Sequence, residues 1–433
     1  MQHIYHSSQN LIDFCGVRMN IGIVGGGASG MFLASLLNKT KDVKVTLIER
    51  NSKLGKKILL TGNGKCNFTN DSFDSNEDNL YNNEFAYNIY KSHDKDEFLS
   101  FMRDIGIEPK IEIHKGYKYY YPNSNKSTSV YYTLLDKIDV NGVEIFYDTF
   151  VKDIKINGGK FDLILNKGQL TFDKVVIATG GSTYKNTGSD GNIYKLLEKL
   201  GHKIIKPLPA LCGFTYEDKE LLSLKGVRVD AKVYAKVCSL NKNDIEKEFI
   251  ECGEIQFTQN GISGIPIMNL SRLVNRYIDD GKKVDLSIDL SPATKNDLLS
   301  FTEYLNNRKE KIYYKKARDF LCGLIPDEIA EIIIKRCGII EKLVSNLNTS
   351  DIVKIAKEIL DFRIENVKMP SIDNAQITIG GVDLNDVDDK SLESKLIKNM
   401  YFIGEVLDVD GKCGGYNLQF AYSSAATVSK QLV

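Results

Sequence analysis

Short apolar runs and glycine clusters alternate along this chain, and their order predicts most of its elements. Ile21–Val24 is a β-branched run, Gly25–Gly30 a glycine cluster, and Met31–Leu37 an apolar stretch that reads as a buried helix. Val43–Ile48 follows as a second strand, ending at Glu49. Weaker helical patterns cover about Asp94–Ile105 and Ser127–Ile138. β-Branched and aromatic residues predict strands near Val143–Tyr147, Val151–Ile156, Phe161–Leu165 and Leu170–Phe172. Val175–Ala178 is wholly apolar, as in a parallel strand buried on both faces, and runs through Thr179 into Gly180-Gly181. Tyr194–Leu200 reads as a helix closed by Gly201.

The pattern changes after Pro207 and Pro209. Leu211–Phe214, Val227–Val237, Glu248–Phe257 and Val284–Ile288 predict a β-rich unit, and about Lys295–Leu360 is helical in pattern. After Pro370 strands and glycines return, at Ala375–Gly381 and Met400–Ile403, before a last helix from about Asn417. These shifts divide the chain into a leader (1–18), a first nucleotide-domain part (19–206), a β-rich insertion (207–292), a helical subdomain (293–369) and a second nucleotide-domain part (370–433). The leader is expected either to be disordered or to precede a true start at Met19.

The glycine cluster carries the chemistry. Gly25-Gly26-Gly27-Ala28-Ser29-Gly30 is a G-x-G-x-x-G fingerprint, and it lies between a strand and a helix, where that pattern is informative. Gly25 permits the tight turn, Gly27 lets backbone N–H groups approach a pyrophosphate, and Gly30 lets the helix pack on the strand. The helix start, with Ala28 and Ser29, offers free N–H groups and a partial positive charge. Glu49 stands where a carboxylate can accept from both ribose hydroxyls, and it would repel a 2′-phosphate. The fold class expected is therefore α/β: a Rossmann-type dinucleotide domain interrupted by a β-rich plus helical middle domain. Between NAD and FAD, the C-terminal block favours FAD. Gly404-Glu405 at a strand end suits a ribityl chain, with Glu405 accepting from a hydroxyl. A helix starting at Gly414–Asn417 suits the flavin N1/C2 edge.

Composition narrows the classes further. The chain has 433 residues, with 57 Lys+Arg against 57 Asp+Glu, so its overall charge points to neither nucleic acid nor an anionic membrane. Eight scattered cysteines without C-x-x-C predict a reduced cytoplasmic protein rather than a disulfide framework. The five histidines lack zinc spacing, so no metal site is expected, and no G-x-S-x-G is present. Gly62-Asn63-Gly64-Lys65-Cys66 is not a P-loop, since Leu59 stands at the first glycine and Cys66 at the Ser/Thr position.

Four blocks resemble one flavoprotein family, which includes aminoacetone oxidase and the flavin-dependent 3-dehydro-bile acid reductases. They are Gly25–Gly30 with Glu49-Arg50, Gly55–Asn67, Ala178–Gly181, and Gly404–Asp408 with Gly414–Gln419. Gly253–Thr258 with Gly261–Gly264 resembles the family's middle domain. The resemblance spans nearly the whole chain from Met19 and implies an FAD cofactor in an interrupted FAD domain; attachment is expected to be non-covalent, because no histidine lies in the four blocks. It implies that Glu49 holds the adenosine ribose, that Val151 offers backbone to adenine, and that Cys66 and Asn67 lie near the flavin. It sets Gly404-Glu405 at the ribityl and pyrophosphate region, and its blocks add Arg50, Lys57, Thr61, Gly62, Thr179, Gly180, Gly415 and Asn417 to the expected cofactor site. Lys65 departs from the family's usual Arg, weakening any bidentate contact there, and Ala425 replaces a common Gly.

Tyr119–Tyr121 and Tyr131-Tyr132 are candidates for a pocket wall, although aromatics in such runs are more often core. His202 is expected at helix-end carbonyls rather than in acid–base chemistry. No general acid or base stands out. The expected function is hydride transfer between flavin N5 and a small-molecule substrate, by amine or aminoketone oxidation or by NAD(P)H-fed reduction of an activated C=C bond. A redox sensor or RNA-associated flavoprotein is the rival from another class. Nothing in the sequence speaks to oligomeric state.

Overall fold

A computed structural model of the chain describes residues 19–37, 42–74, 79–114, 116–239, 245–291 and 297–432. The expected leader and the 292/293 boundary lie outside these residues. The strand β1 (Met19–Val24) leads into the helix α1 (Ala28–Leu36) and the strand β2 (Val43–Ile48). β1 is central in a five-stranded parallel sheet ordered Met400–Phe402, Lys174–Ile177, β1, β2, Glu144–Phe146. One edge strand thus comes from the C-terminal end of the chain, and its hydrogen bonds to Lys174–Ile177 close the interrupted domain.

The α1 sequence is apolar on every face because every face is covered: Met31, Phe32, Leu33 and Ala34 are fully buried. Phe32 meets Phe98 and Tyr422 edge-on, at centroid distances of 5.3 and 5.8 Å. Phe98 stacks on Tyr422 at 4.3 Å, tying the helix Lys95–Asp104 to the closing helix Tyr416–Leu432.

A second core gathers residues between Phe214 and Val367. It lies on an antiparallel sheet of six strands: Phe214–Thr215, Gly261–Gly264, Ile245–Thr258, Arg228–Cys238, Val284–Asp289 and Phe362–Ile364. The helices Leu298–Lys311, Asp327–Arg336 and Thr349–Leu360 complete it. The antiparallel pair Ile204–Ala210 and Ile377–Val382 bridges the two passages between the units.

Several elements depart from the pattern read in the sequence. The stretch around Pro207 and Pro209 is strand rather than a break. It tolerates proline because its ladder has only two strands and its register shifts between Ile205 and Leu208, at Pro207. The strand expected at Leu211–Phe214 is only Phe214–Thr215, because Leu211 takes a positive φ of 49°. Inside the unit read as β-rich lies a helix that the pattern did not predict, Ile265–Asp279. Its start signal was legible: Gly264 followed by Pro266 in the first turn, with Ile267, Leu270 and Val274 at helical spacing. A hairpin, Pro109–His114 with Tyr117–Pro122, was also unread, although Ile111 and Ile113 alternate with charged residues ahead of Gly116.

Candidate active site

One cleft of about 1540 Å³ opens beyond the carboxyl ends of the parallel strands, where ligands of open α/β sheets bind. The fingerprint forms its floor. Gly25 has φ +107°, and a Cβ there would fall 2.5 Å from the Ala178 carbonyl oxygen. At Gly30 a Cβ would fall 2.0 Å from the Gly25 carbonyl oxygen, so glycine is what lets α1 lie this close to the turn. A Cβ at Gly27 meets nothing nearer than 4.0 Å and projects into free space at the cleft wall. Gly27 is the N-cap of α1, with no side-chain cap and no acid in the first turn. The helix therefore presents its N–H groups and partial positive charge to the cleft without internal compensation.

Glu49 is buried and does more than the sequence suggested. Its Oε2 accepts the Gly26 N–H at 2.9 Å, and its Oε1 accepts the Asn51 N–H and Nδ2 at 2.8 and 2.7 Å. The carboxylate braces the fingerprint turn and still lines the cleft. Glu49→Ala removes these charge-assisted bonds, each worth about 1.5–3 kcal/mol. We expect at least ~10-fold weaker FAD binding, measured by fluorescence titration of the apoprotein, with the melting of the inserted unit unchanged. Full affinity in the variant would remove Glu49 from the site.

The loop Gly55–Asn67 covers one side. Thr61, Gly62 and Asn63 break its short 3-10 turns with non-helical backbone, Gly62 and Asn63 being left-handed. Lys57 Nζ pairs with Glu405 Oε2 at 2.9 Å and donates to Thr183 Oγ1 at 3.0 Å, while Glu405 Oε1 also accepts the Thr378 N–H at 2.9 Å. Glu405 is thus already held by a cation on the cleft wall. Arg50 pairs with Asp190 and donates to the Gly188 carbonyl. Gly25, Gly27, Ala28, Ser29, Glu49, Arg50, Lys57, Thr61, Gly62, Asn67, Val151, Thr179, Gly180, Glu405, Gly415 and Asn417 all line the cleft.

Three expected residues do not. Gly30 packs on Gly25, and Gly404 lies under Ser29, whose Oγ a Cβ would approach to 2.6 Å. Cys66 is fully buried, with φ +60°, and burial pushes its thiol up to about 11. Asn417 lies inside the last helix rather than capping it. Its side chain accepts the Gly411 N–H and donates to the Gly411 carbonyl, each at 2.8 Å, bracing the turn before the helix.

The tyrosine candidates split by strand parity. Tyr119 and Tyr121 line the cleft, joined by Tyr117 on the same strand face, whereas Tyr120 is buried on the other face. Tyr131 is buried, Tyr132 is exposed, and neither lines the cleft. His202 is buried; its backbone N–H donates to the helix-end carbonyl of Leu197 at 3.0 Å, as expected, while its ring Nε2 lies 2.8 Å from Ser394 Oγ and burial lowers its pKa. Residues that no motif marked also converge here: Glu251 and Asn269 of the inserted unit, with Lys412 and Cys413. Cation side chains outnumber carboxylates along this lining, an asymmetry that the balanced whole-chain charge conceals. Among the described residues no cluster of three or more His, Cys, Asp or Glu is placed to hold a metal ion.

The lining fits FAD. Asn67 Oδ1 and Thr179 Oγ1 are buried without a hydrogen-bond partner among the described residues, as groups awaiting a ligand would be. The uncapped α1 start provides an anion seat, and Glu49 and Val151 flank it on the β2 side of the sheet. At Gly415 a Cβ would crowd Thr69 N at 2.8 Å and Asn67 Oδ1 at 3.0 Å. The chain meets the HI0933-like protein Rossmann domain over residues 19–431. It is 32% identical over 409 residues to a 3-dehydro-bile acid delta(4,6)-reductase of Clostridium scindens, covering 93% of this chain and 96% of that protein. It is 28% identical over 409 residues to a ribosomal RNA dihydrouridine synthase of Haemophilus influenzae, covering 93% and 96%. Among solved structures, 3-ketosteroid delta1-dehydrogenase of Sterolibacterium denitrificans aligns at 11% identity and TM-score 0.49, over 96% of this chain and 99% of that one. With a family model matched over residues 19–431 and a relative 32% identical over 93% of the chain, this protein belongs to the HI0933-like family of Rossmann-fold, FAD-dependent oxidoreductases.

Proposed function

We propose that this protein is a reductase that saturates a carbon–carbon double bond conjugated to a carbonyl, with NAD(P)H as a transient electron donor. The observation that carries this reading is the cleft itself. At about 1540 Å³ it exceeds the roughly 300–1,000 Å³ of ordinary small-molecule sites, leaving room beside FAD for a second flat molecule. Tyr117, Tyr119 and Tyr121 offer that molecule one aromatic wall, and Ile250, Ile265 and Met268 of the inserted unit offer an apolar one. The names of the relatives support the reaction type, since a delta(4,6)-reductase and a dihydrouridine synthase both add hydrogen across an activated ring C=C bond.

Bound FAD supplies the hydride-transfer chemistry. The α1 N-terminus, Glu49, Asn67 and Thr179 hold and orient the cofactor, and the Lys57–Glu405 pair fixes the wall between them. The tyrosine strand and the inserted unit together seat the substrate and exclude water from its reacting face. Attachment is non-covalent on this reading: Cys66 is turned away from the cleft, and burial pushes the Cys413 thiol up to about 12, so neither is a thiolate near neutral pH. FAD should therefore leave with the supernatant when the protein is denatured. The free cysteines among the described residues suit a reducing compartment such as the cytoplasm, and no described helix is long and apolar enough to cross a membrane.

The described residues contain one strand–fingerprint–helix unit, so a nicotinamide shares the cleft with the substrate and must leave first. Initial rates against both substrates should give parallel double-reciprocal lines. The deciding experiment is anaerobic: NADH, NADPH and aminoacetone are each added to the oxidised protein, and flavin absorbance is followed. A 4-en-3-one steroid or a uridine-rich RNA fragment is then added to the reduced form. We expect bleaching by a nicotinamide and reoxidation by an enone. Reoxidation by RNA alone would assign the substrate to a nucleic acid, a reading that the cation-rich lining and tyrosine ladder favour second. Bleaching by aminoacetone alone would replace the reductase with an amine oxidase, and no turnover with any of them would favour the sensor.

A further inference from the structure

The inserted unit and the flavin unit meet across the cleft in a closed polar circuit that cofactor binding does not account for. Lys412 Nζ lies 3.0 Å from Glu251 Oε1, and the two side chains are only 16% and 14% exposed. Glu251 Oε2 accepts from Asn269 Nδ2 at 3.3 Å, and Asn269 Oδ1 accepts the Cys413 N–H at 3.0 Å. Glu251 comes from the strand Ile245–Thr258 and Asn269 from the helix Ile265–Asp279. Lys412 and Cys413 come from the turn that Asn417 braces before the closing helix. All four residues line the cleft.

A largely desolvated ion pair contributes little net stability against an apolar replacement, so stability alone gives little reason to keep one in a cleft wall. Two further ion pairs on the wall, Lys57 with Glu405 and Arg50 with Asp190, are built wholly from the flavin unit and belong to the cofactor's side. The Lys412 pair spans the two units where the substrate of the proposed reductase would sit.

We propose that Lys412 is a catalytic electrophile, with Glu251 and Asn269 as positioning residues that aim its ammonium group at the substrate carbonyl oxygen. The proposal rests on the reductase reading. In the step concerned, the carbon β to the carbonyl would receive the hydride that bound reduced flavin would supply. The C=C π pair shifts to form the enolate, and the carbonyl pair moves onto oxygen. A hydrogen bond from Lys412 Nζ stabilises that oxyanion, and Lys412 keeps its charge throughout. Water entering from the cleft mouth then protonates the α carbon, completing the addition of two hydrogens. A preorganised cation aimed at a developing oxyanion is worth about 10²–10³ in rate in comparable sites.

The test uses the FAD-loaded protein and needs no known substrate. p-Chlorophenol, whose oxygen mimics the enolate, is titrated into wild type, Lys412→Met, Lys412→Arg and Glu251→Gln. The long-wavelength charge-transfer band of a phenolate stacked on oxidised flavin is recorded against pH. We expect wild type to bind phenolate below the solution pKa of the phenol. Lys412→Met should bind at least ~10-fold more weakly, with the band displaced to higher pH. Lys412→Arg should recover part of the affinity, and Glu251→Gln should displace the band at unchanged flavin content. Equal phenolate binding in wild type and Lys412→Met, with full FAD content, would overturn the proposal. If wild type reduces an enone while Lys412→Met keeps its kcat, the electrophile is wrong and the reductase stands. If wild type binds phenolate through Lys412 but reduces no enone, the anion site stands and the reductase fails.

Discussion

Gly27→Val is expected to give a folded but colourless protein. The position is extended, with φ −73° and ψ −167°, a backbone that a β-branched residue adopts without strain. Its Cβ would meet nothing nearer than 4.0 Å, so the added methyls enter the cleft rather than the core. They would occupy the space before the α1 N-terminus and displace the pyrophosphate from its N–H groups. Losing two charge-assisted bonds costs about 3–6 kcal/mol, so FAD affinity should fall ~10²–10⁴-fold. The melting temperature of the apoprotein should stay within about 2 °C of wild type. Gly30→Ala is the contrasting control, three residues away. Its single methyl would lie 2.0 Å from the Gly25 carbonyl oxygen, so the helix must move off the turn. That variant should lose stability at the upper end of the ~1–3 kcal/mol typical of overpacking. Calorimetry of both apoproteins, with FAD titration, separates the two. A Gly27→Val protein that retains FAD would show that the phosphates lie elsewhere.

Arg272→Met should be the most destabilising change remote from the fingerprint. Arg272 Nε donates to Asp410 Oδ1 at 2.6 Å, and the two side chains are 1% and 3% exposed. The guanidinium also donates to the backbone carbonyls of Asp410 and Asn79, at 3.0 and 3.2 Å. Removing it strands a buried carboxylate, at a cost of about 3–5 kcal/mol, while the Asp410 carbonyl keeps the Asn82 N–H at 3.1 Å. Arg276, one turn along the same helix, holds Asp408 at 2.8 Å near the cleft's C-terminal block. The helix Ile265–Asp279 therefore locks the inserted unit to the segment leading into the Gly411–Gly415 turn. Chemical denaturation should show the loss, and FAD retention should fall with it. In the double variant Arg272→Met/Asp410→Leu the carboxylate is gone, so the two costs should be less than additive by at least ~1 kcal/mol. Additive costs would mean that the pair is not coupled.

The amino-acid sequence alone determined the nucleotide half of this protein. Strand, fingerprint, helix, second strand and Glu49 are local in sequence, and each is constrained by backbone geometry that only glycine or a β-branched run satisfies. The tight turn read at Gly25 and the close helix packing read at Gly30 therefore agree with the space around each, while a Cβ at Gly27 would meet nothing nearer than 4.0 Å. The wholly apolar run at Val175–Ile177 likewise announced a strand buried on both faces, because burial on two sides leaves no polar alternation. Where a side chain's fate depended on a distant partner, the sequence was silent or misleading. The parity that sends Tyr119 and Tyr121 to the cleft and Tyr120 inward is fixed by the pairing of one hairpin. Cys66 turns into the core because its φ is positive, a property of the loop as folded. Asp408, the last residue of the Gly404–Asp408 block, and Asp410 just beyond it are claimed by arginines more than a hundred positions away. The Lys412–Glu251–Asn269 circuit joins three segments that carry no motif. Local conformational rules can be read from a few adjacent residues, but polar pairing and cleft charge exist only once the chain has brought remote groups within ~3 Å of one another.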